Sequence, residues 1–255
     1  MSTAHRDVIL DQFTRQATPF ATAPGIRDEV ALKLVVEFAG VGPQDTVLDV
    51  ACGPGILACA FARVARHVTG IDITPAMLDH ARALQAEQAL GNLTWQQGDV
   101  LPLPFADASF TVVASRYAFH HFLDPAPVLR EMARVCTPGG TVVVVDAAPA
   151  LDKAAAFNRM ELLRDPSHVR AMPLDELTGL FAAAGLPEPR VTTYRLEAEV
   201  EGLISRSFPR PGDDEVLRRT FHESLANDAL GMDARLVNGQ IRVGYPVALL
   251  AARKA

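Results

Sequence analysis

Apolar positions along the chain follow two rhythms. Between residues 26 and 40 they recur at helical spacing (Val30, Leu34, Val35, Phe38) and stop at Gly40 and Gly42, which suit a helix C-cap. From Thr46 onward, short apolar runs alternate with longer amphipathic stretches. The runs Thr46–Ala51, His67–Asp72, Leu93–Gln97, Phe110–Ser115 and Thr141–Asp146 predict strands, the last being the richest in β-branched residues. Helices are predicted over Ile56–Arg66, from the N-cap and N1 pair Thr74-Pro75 to Ala89, and from about Pro125 to Val135. Strands separated by helices imply parallel pairing through right-handed crossovers, hence a doubly wound α/β sheet.

The second half is less regular. Residues 150–171 are mixed and polar, with possible helical character. A helix over Leu174–Ala184 ends at Gly185, and a strand is predicted at Glu188–Leu196. Two further helices fit about 199–206 and 213–228, and a last strand fits Tyr245–Ala252. Residues 1–25 read as a polar segment carrying the isolated aromatics Phe13 and Phe20 and closing at Pro24-Gly25. No internal repeat is visible, and a single domain over residues 1–255 is expected.

With 49% hydrophobic and 21% charged residues, the composition is that of a globular protein. The net charge of −6 argues against nucleic-acid and anionic-membrane partners, which require clustered Lys and Arg. Cys52, Cys59 and Cys136 show no CxxC spacing and read as free thiols in a reducing compartment. No basic-then-apolar leader and no apolar run of membrane-spanning length occurs, so a cytoplasmic monomer or homodimer without a metal is expected.

Candidate chemistry starts at Gly53-Pro-Gly55-Ile-Leu-Ala58, a G-x-G-x-x-A loop between a strand and a helix. Small residues there admit a ligand close to the backbone, and a helix N-terminus offers unpaired N–H groups. Dinucleotide-binding proteins share this pattern, so Asp49 in the preceding apolar strand discriminates. Two like charges ~4 Å apart at an effective dielectric of ~20 repel by about 4 kcal/mol. An acid at this place opposes a pyrophosphate and favours a ligand with an ammonium and a sulfonium, such as S-adenosylmethionine. The alternative is a capping Asp that ties down the loop. Asp72 ends the second strand, where a carboxylate accepts ribose hydroxyls; its other reading, a helix N-cap, is already served by Thr74. Asp99, after the third strand, suits an adenine amino group or a turn. Three acids at the ends of successive strands point at one crevice.

Thr46–Gly55, Gly70–Met77, Gly98–Phe105, Ser115–Asp124 and Arg134–Gly140 occur in the order seen in class I S-adenosylmethionine-dependent methyltransferases, which the chain resembles over about residues 10–150. Ser115-Arg-Tyr-Ala-Phe-His-His-Phe122 resembles the ubiquinone/menaquinone-biosynthesis-type (type 11-like) subgroup. The resemblance implies a mostly parallel seven-stranded sheet with an antiparallel last strand and helical lid elements. It implies a methionine cradle at Asp49, Gly53 and Gly55. A ribose acid would fall at Asp72 with Ile73 and Met77 beside the adenine, adenine contacts at Asp99 and Val100, and a post-strand-four position at Ser115. Phe13 and Phe20 resemble aromatics that fold over the cofactor, Phe20 standing where Tyr is common. One departure is Thr111, where the family often has Asp.

Methyl transfer from a sulfonium is an in-line displacement with an activated leaving group, so positioning and desolvation suffice unless the acceptor must lose a proton. Arg116, Tyr117, His120 and His121 follow strand four and are candidates for the acceptor side. His120, His121, His168 or Tyr117 would supply a base. Adjacent histidines at a helix start point about 100° apart, so one is expected to face the site and the other to fix the loop. The insertion at about 199–240 suggests a lid. Met172, Phe181, Phe208, Phe221 and Met232 fit either an apolar pocket or, with more weight, plain core. The expected activity is methyl transfer from S-adenosylmethionine, leaving S-adenosylhomocysteine, to a small quinone-like, phenolic or other biosynthetic acceptor. An NAD(P)-dependent oxidoreductase would share the loop and Asp72 but leave Asp49 and Asp99 unexplained. A protein of this fold that binds the cofactor without methyl transfer is a third reading.

Overall fold

The computed structural model describes residues 3–255. Strands β1 (Thr46–Val50), β2 (His67–Asp72), β3 (Leu93–Gln97), β4 (Phe110–Arg116) and β5 (Cys136–Ala147) pair in parallel in the order β3-β2-β1-β4-β5. Beyond β5 lie β6 (Arg190–Glu199), β7 (Arg235–Val237) and β8 (Gln240–Arg253), with β8 antiparallel to β5, β6 and β7. The helices are α1 (Thr3–Ala21), α2 (Glu29–Ala39), α3 (Ile56–Ala62), α4 (Pro75–Glu87) and α5 (Pro125–Val135), then α6 (Ala154–Arg164), α7 (Leu174–Ala183), α8 (Val200–Ser205) and α9 (Asp213–Asn227).

Period-two alternation divides the sheet's side chains between two cores. Val47, Val112, Val143 and Val145 join α2, α3, α6, α8 and α9 on one face, whereas Leu48, Val50, Val113, Val142 and Val144 join α5 and α7 on the other. The strand order reverses between β1 and β4, and in such sheets ligands bind in the crevice outside the carboxyl ends there. No described helix is long and apolar enough to cross a membrane.

The doubly wound, mostly parallel sheet expected from the sequence is present, and residues 150–171 contain α6, in line with their helical reading. There are two departures. Eight strands form the sheet instead of seven, because β7 and the start of β8 make a hairpin through Asn238-Gly239, both at positive φ (52° and 79°). Asn-Gly is the residue pair such a two-residue turn favours, and that local signal was readable. The N-terminal segment read as polar is the helix α1; its inward face is carried by Gln12 and Gln16 as well as Ile9 and Ala17, all buried, so apolar periodicity is weak.

Gly55 shows why the first loop needs small residues. Its φ is +76°, and a Cβ there would stand 2.6 Å from the Trp95 ring and 2.8 Å from Cβ of Ala81. Gly55→Ala is therefore expected to destabilise the fold by about 2–4 kcal/mol, combining overpacking with a left-handed backbone. Urea denaturation checks this; a midpoint matching the parent would mean the α3–α4 seam yields freely.

Candidate active site

At the carboxyl edge of β1 the chain turns through Ala51, Gly53 and Gly55, all at positive φ, into α3. The Asp72 carboxylate, at the end of β2, ties this turn to the next: it accepts the Gly53 N–H at 2.8 Å and the Thr74 N–H at 2.8 Å. Thr74 itself makes no side-chain cap, so Asp72 fixes both loops. Burial raises the Asp72 carboxyl above its ordinary range, against the pull of these amides.

Asp49 is 1% exposed and its Oδ2 has no hydrogen-bond partner. Burial lifts its carboxyl to about 7, with Arg116 opposing and Asp72 adding to the rise. Arg116 ends β4. One guanidinium nitrogen donates to the Ile26 carbonyl at 2.7 Å, and the other, Nη1, is buried without a partner. Asp49, Gly53, Asp72, Met77 and Arg116 border one cavity of about 700 Å³. A Cβ on Gly53 would meet nothing closer than Met77 Sδ at 4.0 Å, so that backbone faces open space. A buried anion with a free lone pair and a buried cation with a free N–H suit a zwitterionic amino-acid head, and the anion suits a sulfonium. The residues present thus fit S-adenosylmethionine.

A second cavity of about 1000 Å³ adjoins the first, and Phe13, Phe20, Ile26, Tyr117 and His121 border both. Phe13 and Phe20 come from α1, which lies across the two openings. It is held by His5 Nε2 to the His121 carbonyl (2.8 Å), Gln12 to the Ser207 carbonyl (2.6 Å), Gln16 to Asp165 (3.0 Å) and Thr18 to His80 (3.0 Å). Tyr117 holds φ at +59°, a conformation costly for a bulky residue, and its hydroxyl meets that of Tyr194 at 2.5 Å.

The larger cavity has a polar wall. His120 donates from Nδ1 to Asp146 Oδ1 at 2.5 Å, and Asp146 Oδ2 accepts the His120 backbone N–H at 3.2 Å. Burial alone would lower the His120 pKa, but the Asp146 charge and hydrogen bond outweigh it and raise it. Asp146 stays below the ordinary carboxylate range despite its burial, held there by His120. Behind them Glu161 takes two bonds from Arg164 (2.6 and 2.9 Å) and one from the Tyr245 hydroxyl (2.8 Å). Although burial opposes it, the Arg164 charge brings Glu161 down to about 2. His121 and His168 are lowered to about 3 and about 4, chiefly by burial, and stay neutral.

The structure brings together most of the sequence-derived candidates. Asp49, Gly53, Asp72 and Met77 border the smaller cavity, Phe13, Phe20, Tyr117 and His121 the junction, and His120 and His168 the larger cavity. Both adjacent histidines face the larger cavity because Phe119–His121 is a tight 3₁₀ turn rather than a helix start, with the two rings 4.2 Å apart. Arg116 borders the smaller cavity and not the larger one. Gly55 packs against α4 and Trp95, Ser115 is buried with an unpartnered hydroxyl, and Ile73 and Val100 flank the crevice without bordering either cavity. Asp99 accepts the Leu101 N–H at 3.2 Å and lies 3.7 Å from Arg6 of α1. Thr111, where an Asp was the commoner expectation, binds Asp45 at 2.7 Å at the far end of β4. Met172, Phe181, Phe221 and Met232 are core, and Phe208 is a 37% exposed surface ring beneath Arg15. The insertion supplies Leu203, Arg206 and Ser207 to the larger cavity, while α9 packs as core. Missed altogether were Asp146, Glu161, Arg164 and Tyr245. For Asp146 the signal was a lone acid closing an all-valine run.

Residues 48–144 match the family described as "Methyltransferase domain". The chain is 33% identical over 219 residues to the uncharacterised methyltransferase YcgJ of Bacillus subtilis (strain 168), covering 81% of this chain and 86% of that protein. The solved structure of YcgJ superposes with a TM-score of 0.80 at 28% identity, over 88% of this chain and 98% of that one. A shorter stretch of 116 residues is 39% identical to the ubiquinone/menaquinone biosynthesis C-methyltransferase UbiE of Bdellovibrio bacteriovorus, covering 45% of this chain and 49% of the relative. With a related chain matched over nearly its whole length and the sheet, loop and acids of the crevice in place, this protein belongs to the class I S-adenosylmethionine-dependent methyltransferases of the type 11 kind.

Proposed function

We propose that the protein binds S-adenosylmethionine in the smaller cavity and methylates a small planar acceptor, phenolic or quinone-like, held in the larger one. The carrying observation is the junction itself: two cavities share a wall, and two groups of opposite charge border the smaller one, each with a buried atom that has no partner, Asp49 Oδ2 and Arg116 Nη1. Asp49 receives the ammonium and faces the sulfonium, Arg116 pairs with the carboxylate, and Asp72 accepts the ribose hydroxyls. Bound there, the cofactor supplies a methyl group already activated by positive sulfur. Phe13, Phe20 and Ile26 exclude water from the junction, and Tyr117 and His121 fix the acceptor's approach. Aromatic and aliphatic side chains in the larger cavity favour a flat ring, and the relative named for quinone biosynthesis supports that class. With a net charge of −6 and three unpaired cysteines, we place the enzyme in the cytoplasm, acting on small molecules and not on nucleic acid.

Calorimetric titration tests this reading. S-adenosylhomocysteine is expected to bind with a dissociation constant in the micromolar range, worth about 8 kcal/mol, and NADH not to bind. The opposite pattern would remove the proposal.

A further inference from the structure

We infer that His120, held by Asp146, is the general base of this enzyme and that the acceptor atom is the oxygen of a phenol-type hydroxyl. The inference rests on the proposed placement of the cofactor and acceptor. It is carried by the hydrogen-bonding state of the cavity's polar wall, in which His120 is the one imidazole bonded directly to a carboxylate.

Hydrogen-bond partners fix each imidazole. The carboxylate of Asp146 only accepts, so His120 carries its proton on Nδ1 and leaves Nε2 as the ring nitrogen available to the cavity. The Ser167 carbonyl likewise sets His121 as an Nδ1–H donor at 3.0 Å. The Asn158 amide donates to the Ala154 and Ala171 carbonyls, so its oxygen accepts from Nε2 of His168, whose Nδ1 is a buried acceptor without a partner. All three rings therefore keep a bare acceptor nitrogen, which calls for a ligand that brings a hydrogen-bond donor.

Only one of them can keep a proton. The groups facing His120 are Asp146 at the end of β5, Glu161 and Arg164 on α6, and the His121 and His168 rings, with centroids 4.2 and 5.5 Å away. Glu161 and Arg164 neutralise each other, leaving Asp146 to stabilise an imidazolium. Asp165 faces His121 and Glu161 faces His168, but neither carboxylate is hydrogen-bonded to the ring it faces, and burial outweighs their pull and keeps both pKa values below the ordinary range. Tyr117 and Tyr194 spend their hydroxyls on each other, and Asp165 is tied by Ser167 and Gln16. His120, whose side chain is 12% exposed, borders the larger cavity beside His121, a residue of the junction whose ring centroid is 4.2 Å from its own.

The acceptor class follows from the same inventory. A phenol, with a pKa near 10, is within a few units of an imidazole, whereas an aliphatic hydroxyl near that of water, roughly 16, is out of reach. An amine would arrive as a cation and need a free carboxylate, but Asp146, Glu161 and Glu197 are paired with His120, Arg164 and Arg235, and Asp165 already accepts from Gln16 and from the amide and hydroxyl of Ser167. In the transfer, the hydroxyl proton passes to Nε2 of His120 and the oxygen lone pair forms the bond to the methyl carbon. The C–S bond breaks with both electrons going to sulfur. The sulfonium becomes a neutral thioether, and the single positive charge ends on the imidazolium beside Asp146, to be released to solvent.

4-Nitrophenol, whose phenolate absorbs in the visible, reads out the proton transfer without turnover. Added to the S-adenosylhomocysteine complex at a pH below its own pKa, it is expected to show the phenolate band on binding. His120→Gln should shift the bound phenol's ionisation constant toward the neutral form by roughly tenfold or more, and Asp146→Asn, a change at a positioning residue, should shift it in the same direction. Both variants should retain parental affinity for S-adenosylhomocysteine, which also certifies their folding. A phenolate band that survives in His120→Gln, a phenol bound neutral or not bound by the wild-type complex, or loss of the nucleoside in His120→Gln would overturn the inference. Failure of the wild type to bind S-adenosylhomocysteine would instead defeat the reading of the smaller cavity.

Discussion

Replacing Asp49 by Asn is expected to stabilise the empty protein while weakening its hold on S-adenosylmethionine. The folded carboxyl sits at about 7 against 3.8 for the free group. Between these values the native state binds more protons than the unfolded state, so this group's contribution to stability declines as pH rises from about 4 to about 7. Above that range the buried charge costs at most about 4 kcal/mol, three pK units at about 1.4 kcal/mol each. Asn removes the cost, so the variant should melt higher than the parent at pH ~8 and draw level toward pH ~4. Cofactor binding runs the other way. A sulfonium and an ammonium favour the ionised acid, so wild-type affinity should fall by up to about tenfold per unit as pH drops below about 7. The Asn variant should bind on the order of a hundredfold more weakly at neutral pH and lose this dependence, since an unpaired buried cation costs about 3 kcal/mol or more. Scanning calorimetry and titration at two pH values decide it. A variant that is less stable at the higher pH and binds normally would show that Asp49 is a structural cap after all.

Asp72→Ala is expected to cost at least as much in binding as Asp49→Asn, and to cost more in binding than in folding. Removing the carboxylate frees the Gly53 and Thr74 amides that it holds at 2.8 Å and takes away the acceptor proposed for the ribose hydroxyls. Charge-assisted hydrogen bonds contribute about 1.5–3 kcal/mol each, so losing two from the ligand should reduce affinity for S-adenosylhomocysteine at least about a hundredfold. The fold loses two backbone tethers but also a carboxyl that burial disfavours, leaving a net of about 1–2 kcal/mol. Titration beside a urea melt separates the two effects. Wild-type affinity in a normally folded variant would take Asp72 out of the site.

The cofactor half was legible in the sequence because its signals are local. A strand, a glycine turn and an acid at a strand's end are each written within a few residues, so Asp49, Gly53 and Asp72 could be found one segment at a time. What lay hidden depends on pairings across the chain. His120 meets Asp146 only because β4 and β5 run side by side, in a register that sets Arg116 opposite Val145. Glu161 and Arg164 stand three residues apart in a mixed stretch with nothing local to single them out, and Tyr245 reaches Glu161 only from β8. Gln12 and Gln16 concealed α1 because a helix that docks through amides carries little apolar rhythm. Arg116, expected beside the acceptor, borders the smaller cavity because its guanidinium is drawn to the Ile26 carbonyl, a contact ninety residues away in sequence.

One helix walls two rooms. Because Phe13 and Phe20 stand in both linings, a substitution that displaces α1 reshapes the two chambers together. The amide and imidazole latches along its length fix both walls by the same contacts.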